Sequence, residues 1–291
     1  MKLTNNQLDK LCNLACEAAQ LAGEYIAQKF KQEIKVQKKL TGTSLAAQVV
    51  TEVDIKSQDI IVNHLQSTLT DYDLGLLTEE GVQDQSRFEK DYFWCIDPLD
   101  GTLPFTRKEE GFAVSIALVS RKGESLIGVV YDPYRCDLYA ARIGSGATKN
   151  GNPLELIEAD NEVFFYRDCS FLKSKNNTEM FDRLQSELPS LEVQSLRVKE
   201  SFGAVMQAIN VIQRPNSIYF KVPKKEFGGG SSWDFAATVC IANEMNTHVS
   251  DAKGNPLTLN SQKSTFMNEK GVLFASSEKL VKWALFYNHS K

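Results

Sequence analysis

The sequence predicts an α+β chain in which helical and strand layers alternate, with a break near residue 150. Three observations carry this. Apolar residues near the N-terminus recur at steps of three and four. Phe112 to Arg142 divides into short apolar runs separated by turn residues. "GSGATKNGNP" (Gly144 to Pro153) gathers turn formers as no other stretch does. The break divides the chain into parts 1–150 and 151–291.

Leu8, Leu11, Cys12, Ala15, Ala18, Ala19, Ala22, Tyr25, Ile26 and Phe30 describe one apolar face, so a long helix is expected, entered through the capping-box pattern Thr4-x-x-Gln7. "KKLTGTS" (Lys38 to Ser44) reads as a loop, "QVVTEVD" as a short strand, and Ile55 to Leu69 as a second helix. "LGLLTEE" and "DYFWCIDP" are short apolar runs ending in acids, as strands that deliver carboxylates at their ends would be. "FAVSIALVS", "SLIGVVYDP" and "CDLYAAR" read as an antiparallel meander. Beyond the break, Glu179 to Leu188, Phe202 to Ile212 and Trp233 to Asn246 are expected as helices, with strands such as "NSIYFKV" and "GVLFASS" between them.

The bulk numbers exclude several function classes. With 291 residues, 42% hydrophobic and 24% charged, the chain is an ordinary globular one, not a disordered one. A net charge of −4 argues against a nucleic-acid polymer or an anionic membrane as partner, while a small phosphorylated ligand stays open because bound cations can supply positive charge. No signal peptide and no apolar run of the roughly 18 residues a membrane helix needs is found. Six cysteines without a CxxC pair read as small buried thiols in a reducing cytoplasm, the expected location.

The chemistry is carried by acids at the edges of apolar elements: Glu79-Glu80, Asp97, Asp100 and Asp234. An aspartate opening "FAATVCIAN", as Asp234 does, can be a plain helix cap. The Asp97/Asp100 pair in "WCIDPLDGT" is harder to explain that way, because Pro98 fixes the turn and two carboxylates so close repel without a cation. Oxygen donors with no histidine nearby suit Mg²⁺. Gly101 then allows close backbone approach, the following N–H groups would receive a phosphate, and Thr102 puts a hydroxyl where a water could be oriented. No P-loop, GxSxG elbow or HExxH is present, and one extra residue separates the aspartates relative to the D-x-D-G-T of aspartyl-phosphate enzymes. The three histidines are scattered and read as structural or solvated.

"WCIDPLDGT" resembles the W-x-[IV]-D-P-[IL]-D-G-T signature of the inositol monophosphatase superfamily, the lithium-sensitive, Mg²⁺-dependent phosphatases that include the 3′(2′),5′-bisphosphate nucleotidases. "SSWDFAA" is similar to its W-D-x-A-A signature, and "VVTEVD", "LLTEEG", "IGVVYDP" and "GSGATKNGNPL" to weaker segments in the same order. The resemblance implies an αβαβα layered sandwich of the inositol monophosphatase and fructose-1,6-bisphosphatase type. It implies two or three Mg²⁺ ions, inhibition by Li⁺, a small phosphorylated metabolite as partner, and an assembly that can be a homodimer. Carried over, Glu80 would bind metal and Asp97 would bridge two ions. The Leu99 carbonyl would complete one site, and Asp100 and Asp234 the other. Asp54 and Thr102 would orient or deprotonate the attacking water, Gly101 and Thr102 N–H groups would receive phosphate, and Glu79 would stand behind Glu80 or act through water. The expected reaction is hydrolysis of a phosphomonoester, either a 3′(2′),5′-bisphosphate nucleotide or an inositol monophosphate. The alternative is a catalytically silent relative that binds a phosphorylated ligand or a partner protein.

The chain departs from the family's pattern on the substrate side. Leu103-Pro104 follows Thr102 where the family commonly has Thr-Asn or Lys-Glu, and "NEMNTH" stands in place of E-A-G-G. In the longer, more basic segment "KVPKKEFGGGSS", Lys221, Lys224 and Lys225 are either a solvated loop or contacts for a second phosphate.

Overall fold

The computed structural model describes residues 2–32, 36–38, 49–82, 85–158, 161–168, 171, 175–200 and 202–289. Five layers stack in the order helices, sheet, helices, sheet, helices. The outer layer holds α1 (Asn5–Phe30) and α2 (Glu52–Asp71), with a two-stranded ribbon, β1 (Val36–Lys38) and β2 (Val49–Thr51), between them in sequence. Thr4 caps α1 as expected: its hydroxyl accepts the Gln7 N–H at 3.3 Å, and the Thr4 N–H donates to Gln7 Oε1 at 2.9 Å. Residues 39–44 of the expected loop lie outside the described residues.

The first sheet has seven strands in sequence order: β3 (Gly75–Thr78), β4 (Tyr92–Asp100), β5 (Ala113–Ser120), β6 (Ser125–Asp132), β7 (Asp137–Arg142), β8 (Ala147–Lys149) and β9 (Asn152–Pro153). Only β3 and β4 pair in parallel, so the expected meander from β5 to β7 is present. Two short helices, α3 (Ser86–Glu89) and α4 (Thr102–Thr106), flank β4. The strands alternate their side chains between two cores. Trp94, Ile96, Val114, Ile116 and Leu118 pack toward α1 and α2, while Phe93, Cys95, Ala113, Ala117 and Val119 face the middle layer.

The middle layer consists of α6 (Ala204–Gln213) and α7 (Ser232–Glu244), and nearly all of both helices is buried because each is covered on two sides by sheet. The second sheet has the order β11 (Ser195–Lys199), β10 (Glu162–Tyr166), β12 (Ser217–Lys221), β14 (Val272–Ala275) and β13 (His248–Ser250). α5 (Lys175–Glu187), a 3₁₀ turn (Leu188–Leu191) and α8 (Glu278–His289) close its outer face.

Small residues let α7 dock closely. Ser115 Oγ donates to the Trp233 carbonyl at 3.1 Å and Ser125 Oγ to that of Ala236 at 2.7 Å, and a Cβ on Gly128 would stand 2.1 Å from the Ala237 carbonyl oxygen. Among the described residues, no helix is long and apolar enough to cross a membrane. The five described cysteines are free, but they are not uniformly buried: Cys95 and Cys240 are, Cys12 and Cys16 are half-buried, and Cys136 is exposed in the β6–β7 turn. Cys169 lies outside the described residues.

Candidate active site

The two aspartates of "WCIDPLDGT" converge through an irregularity in β4, not through a turn at Pro98. Asp97 pairs with Ser115 of β5 and Asp100 with Ala113, so three steps along β4 match two along β5. In a regular strand, residues three apart point to opposite faces; one extra residue brings them back to the same face. Pro98, which cannot donate to the ladder, sits inside this bulge.

Asp234 reaches the same place from α7. It is the third residue of a capping box, with the Ser231 N–H donating to its carboxylate, so the plain capping role and the site role coexist in one side chain. One carboxylate oxygen from each of Asp97, Asp100 and Asp234 lies within 4.8 Å of the others. Asp100 is held by the first amides of α6, Ala204 N–H at 3.2 Å and Val205 N–H at 2.8 Å, where the helix dipole favours a negative charge. Asp97 Oδ1 accepts the Leu99 N–H at 3.0 Å, while its Oδ2 is buried with no hydrogen-bond partner.

Glu79 arrives by strand register. β3 runs beside β4 with Thr78 opposite Ile96, so the next residues, Glu79 and Asp97, fall side by side, and the Glu79 N–H donates to the Ile96 carbonyl at 3.1 Å. Burial first, then Glu79, Asp234 and Asp100, push the Asp97 carboxyl well above its ordinary range. Asp100 is raised in the same way by burial and then by Asp234, and Asp234 by burial. Glu80, the expected ligand, has its backbone N–H bonded to Gln58 Oε1 at 3.0 Å, and its neighbour Glu79 acts on the Asp97 carboxyl.

Asp54 was expected on a strand, but the strand stops at Thr51 and Asp54 sits in the first turn of α2. From there, buried to 2% exposure, it meets Thr102: the Thr102 hydroxyl donates to Asp54 Oδ1 at 2.9 Å and lies 3.2 Å from the Leu99 carbonyl oxygen. Trp94 helps fix this geometry by donating from its indole to Thr68 Oγ1 of α2 at 2.9 Å. Gly101 has φ +82°, and a Cβ there would stand 2.8 Å from the Gly111 carbonyl oxygen, so only glycine fits before α4.

On the substrate side, Lys221 is not free to reach a second phosphate. It pairs at 2.5 Å with Asp168, which also accepts from the Tyr219 hydroxyl and the Gln207 amide, both at 3.2 Å. Burial works to raise the Asp168 carboxyl, but Lys221 and these bonds outweigh it and hold it low. Asp168 is the residue that sequence reasoning missed; it stands in "FYRDCS", away from any acidic pattern. Lys224 and Lys225 are exposed, as a solvated loop would have them.

The donor set fits a hard divalent cation: two buried carboxylates and a half-buried one that repel one another, with Asp97 Oδ2 left unpartnered. Three comparisons bear on this geometry. A model described as the inositol monophosphatase family matches residues 7–282. The Nus factor SuhB of Escherichia coli K12 is 36% identical over 245 residues, covering 84% of this chain and 86% of that protein. The inositol-1-monophosphatase of Bacillus subtilis is 27% identical over 240 residues, covering 81% and 83%. Among solved structures, a staphylococcal IMPase-II with bound 2′AMP superposes with a TM-score of 0.73 at 24% identity, covering 97% of this chain and 95% of that one. The same enzyme has also been solved with inositol monophosphate.

Proposed function

The chain belongs to the inositol monophosphatase family, and from that premise we propose that it is a Mg²⁺-dependent phosphomonoesterase acting on a small phosphorylated metabolite, either a 3′(2′),5′-bisphosphate nucleotide or an inositol monophosphate. The observation that carries this reading is the convergence of buried Asp97 and Asp100 with half-buried Asp234, Asp97 Oδ2 having no hydrogen-bond partner. These three, with Glu80 as a ligand, Glu79 beside it and the Leu99 carbonyl, are the groups that would hold two or three ions, with Li⁺ as a competitor. Bound there, Mg²⁺ would supply a Lewis acid that offsets charge on the phosphoryl group and makes a water more acidic.

The protein's own groups do the remaining work. Asp54 fixes the Thr102 proton, which leaves the Thr102 Oγ lone pairs to accept a hydrogen bond from a water, and a water proton can pass through Thr102 to Asp54. The amides opening α4 have no intrahelical acceptor and can receive phosphoryl oxygens. Ala204 and Val205 keep the Asp100 carboxylate from turning away. The relative solved with both 2′AMP and inositol monophosphate supports keeping both substrate classes in view.

The test is phosphate release in Mg²⁺ from 3′-phosphoadenosine 5′-phosphate and inositol 1-phosphate side by side, with Asp97→Asn as the blank. Turnover of either substrate that falls by about 10²–10³-fold or more in the variant supports the site. Turnover that survives Asp97→Asn would sink it. A second reading has its own support, since the Escherichia coli relative bears the name of a Nus factor: the chain acts as a binding protein. Stabilisation by a phosphorylated ligand with no phosphate release at saturating Mg²⁺ favours that reading.

A further inference from the structure

A second cavity, about 360 Å³, lies along α6, and none of Asp97, Asp100 and Asp234 lines it. Its walls come from both sheets: β7 and β8 on one side, β10 and β11 on the other, with Met206, Asn210, Gln213 and Arg214 between them. Cavities of roughly 300–1,000 Å³ are the size that small ligands fill.

The lining is basic in a chain whose net charge is −4. Arg135, Lys149, Arg197, Lys199 and Arg214 face three acids, Glu110, Asp132 and Asp137. Ion pairs engage Arg135 with Glu110 at 2.5 Å, Lys149 with Asp137 at 2.7 Å and Arg197 with Glu162 at 2.9 Å. Lys199 is half-buried and pairs with no carboxylate among the described residues. The Arg214 guanidinium carbon stands 4.2 Å from the centroid of the Phe164 ring, and Arg214 also bonds the Tyr166 hydroxyl. Tyr139 and Phe202 complete the aromatic wall.

This chemistry narrows the occupant. Five basic groups against three acids in the lining disfavour a cation, and eight charged side chains disfavour an apolar molecule. An uncompensated ammonium suits a phosphate, while a guanidinium backed by the buried Phe164 ring suits a flat heteroaromatic ring. We propose that this cavity binds a small aromatic anion of the nucleoside monophosphate class, with the phosphate on Lys199 and the ring against Arg214 and the Phe164–Tyr166 wall. The site is separate from the acid cluster and does not depend on the phosphatase reading.

The test is calorimetric titration of the full chain with adenosine 5′-monophosphate in EDTA, so that the acid cluster carries no divalent ion. The nucleotide should bind, and Lys199→Glu should weaken it by about tenfold or more, as loss of a charge-assisted contact does. Adenosine alone and inorganic phosphate alone should each bind at least about tenfold more weakly than the nucleotide. Asp97→Asn should leave the affinity unchanged. Should Lys199→Glu melt early, Lys199→Gln serves in its place. Absence of binding by the wild-type chain overturns the proposal, as does an affinity indifferent to both Lys199 variants. Phosphate binding as tightly as the nucleotide overturns the aromatic part. A changed affinity in Asp97→Asn would place the nucleotide at the acid cluster instead.

Discussion

Gly203 has no side chain because Asp100 occupies the space one would take: a Cβ there would stand 2.2 Å from Asp100 Oδ2. The backbone conformation at Gly203 is ordinary, so the constraint is contact and not strain. Gly203→Ala should push the Asp100 carboxylate off the Ala204 and Val205 amides and weaken Mg²⁺ binding by about tenfold or more, measured by metal titration, while the melting temperature moves little. Unchanged metal affinity would mean that Asp100 is not held as argued. Asp132 gives a second test at this scale. It is 1% exposed, and burial raises its carboxyl from 3.8 to about 6 against the pull of the Arg135 and Tyr134 N–H groups it accepts. Because the folded value lies above the unfolded one, the folded state holds the extra proton between them, and stability falls as pH rises from about 4 through 6. The loss is on the order of 2–3 kcal/mol. Asp132→Asn keeps an acceptor oxygen for the turn, so its denaturation curves should lack this part of the pH dependence. Identical pH profiles for the two proteins would refute it.

At the scale of elements, the site depends on how closely α7 lies against β5 and β6. Gly128→Ala puts a methyl group 2.1 Å from the Ala237 carbonyl oxygen, and backbone has to move to make room. Overpacking of this kind costs about 1–3 kcal/mol, and here it should also slow turnover, since Asp234 rides on the same helix. Urea denaturation and kcat measured on one preparation separate the two effects. Elements also decide what the sequence could reveal. The capping box of α1, the meander and the three aspartates were legible because each is written in a local pattern: Thr4-x-x-Gln7, alternating runs, acids closing apolar stretches. The approach of Glu79 to Asp97 was not legible, because it is set by the register of β3 on β4, a pairing between distant segments. Asp54 was placed on a strand because the apolar residues of "QVVTEVD" continue into the helix without a visible stop. Asp168 could not be found at all: its role comes from Lys221, Tyr219 and Gln207, which reach it from β12 and α6.

For the whole molecule, the acid cluster joins layers. Asp97 and Asp100 come from the first sheet, Asp234 from the middle helices, and Asp100 is bonded in turn to α6. Without a cation, three carboxyls raised by burial weaken the fold as pH climbs above their unfolded values, and a bound ion reverses this. Mg²⁺ should therefore raise the melting temperature more at pH 8 than at pH 5. At a hundred times its Kd the gain is about 2.7 kcal/mol. Melts in EDTA and in Mg²⁺ at the two pH values test this, and an equal shift at both would show that the carboxylates are not the ligands.

The bulge in β4 has a consequence for how this chain can change over time. Between Asp97 and Asp100 the number of residues matters more than their identity. Loss of a single residue there would remove the bulge and leave the aspartates two apart, still on one face, but would displace the Leu99 carbonyl and the Gly101–Thr102 turn by one position. Insertions and deletions between Asp97 and Asp100, screened for Mg²⁺ binding, should therefore cost more affinity than exchanges at Pro98, because they move the Leu99–Thr102 turn relative to both aspartates.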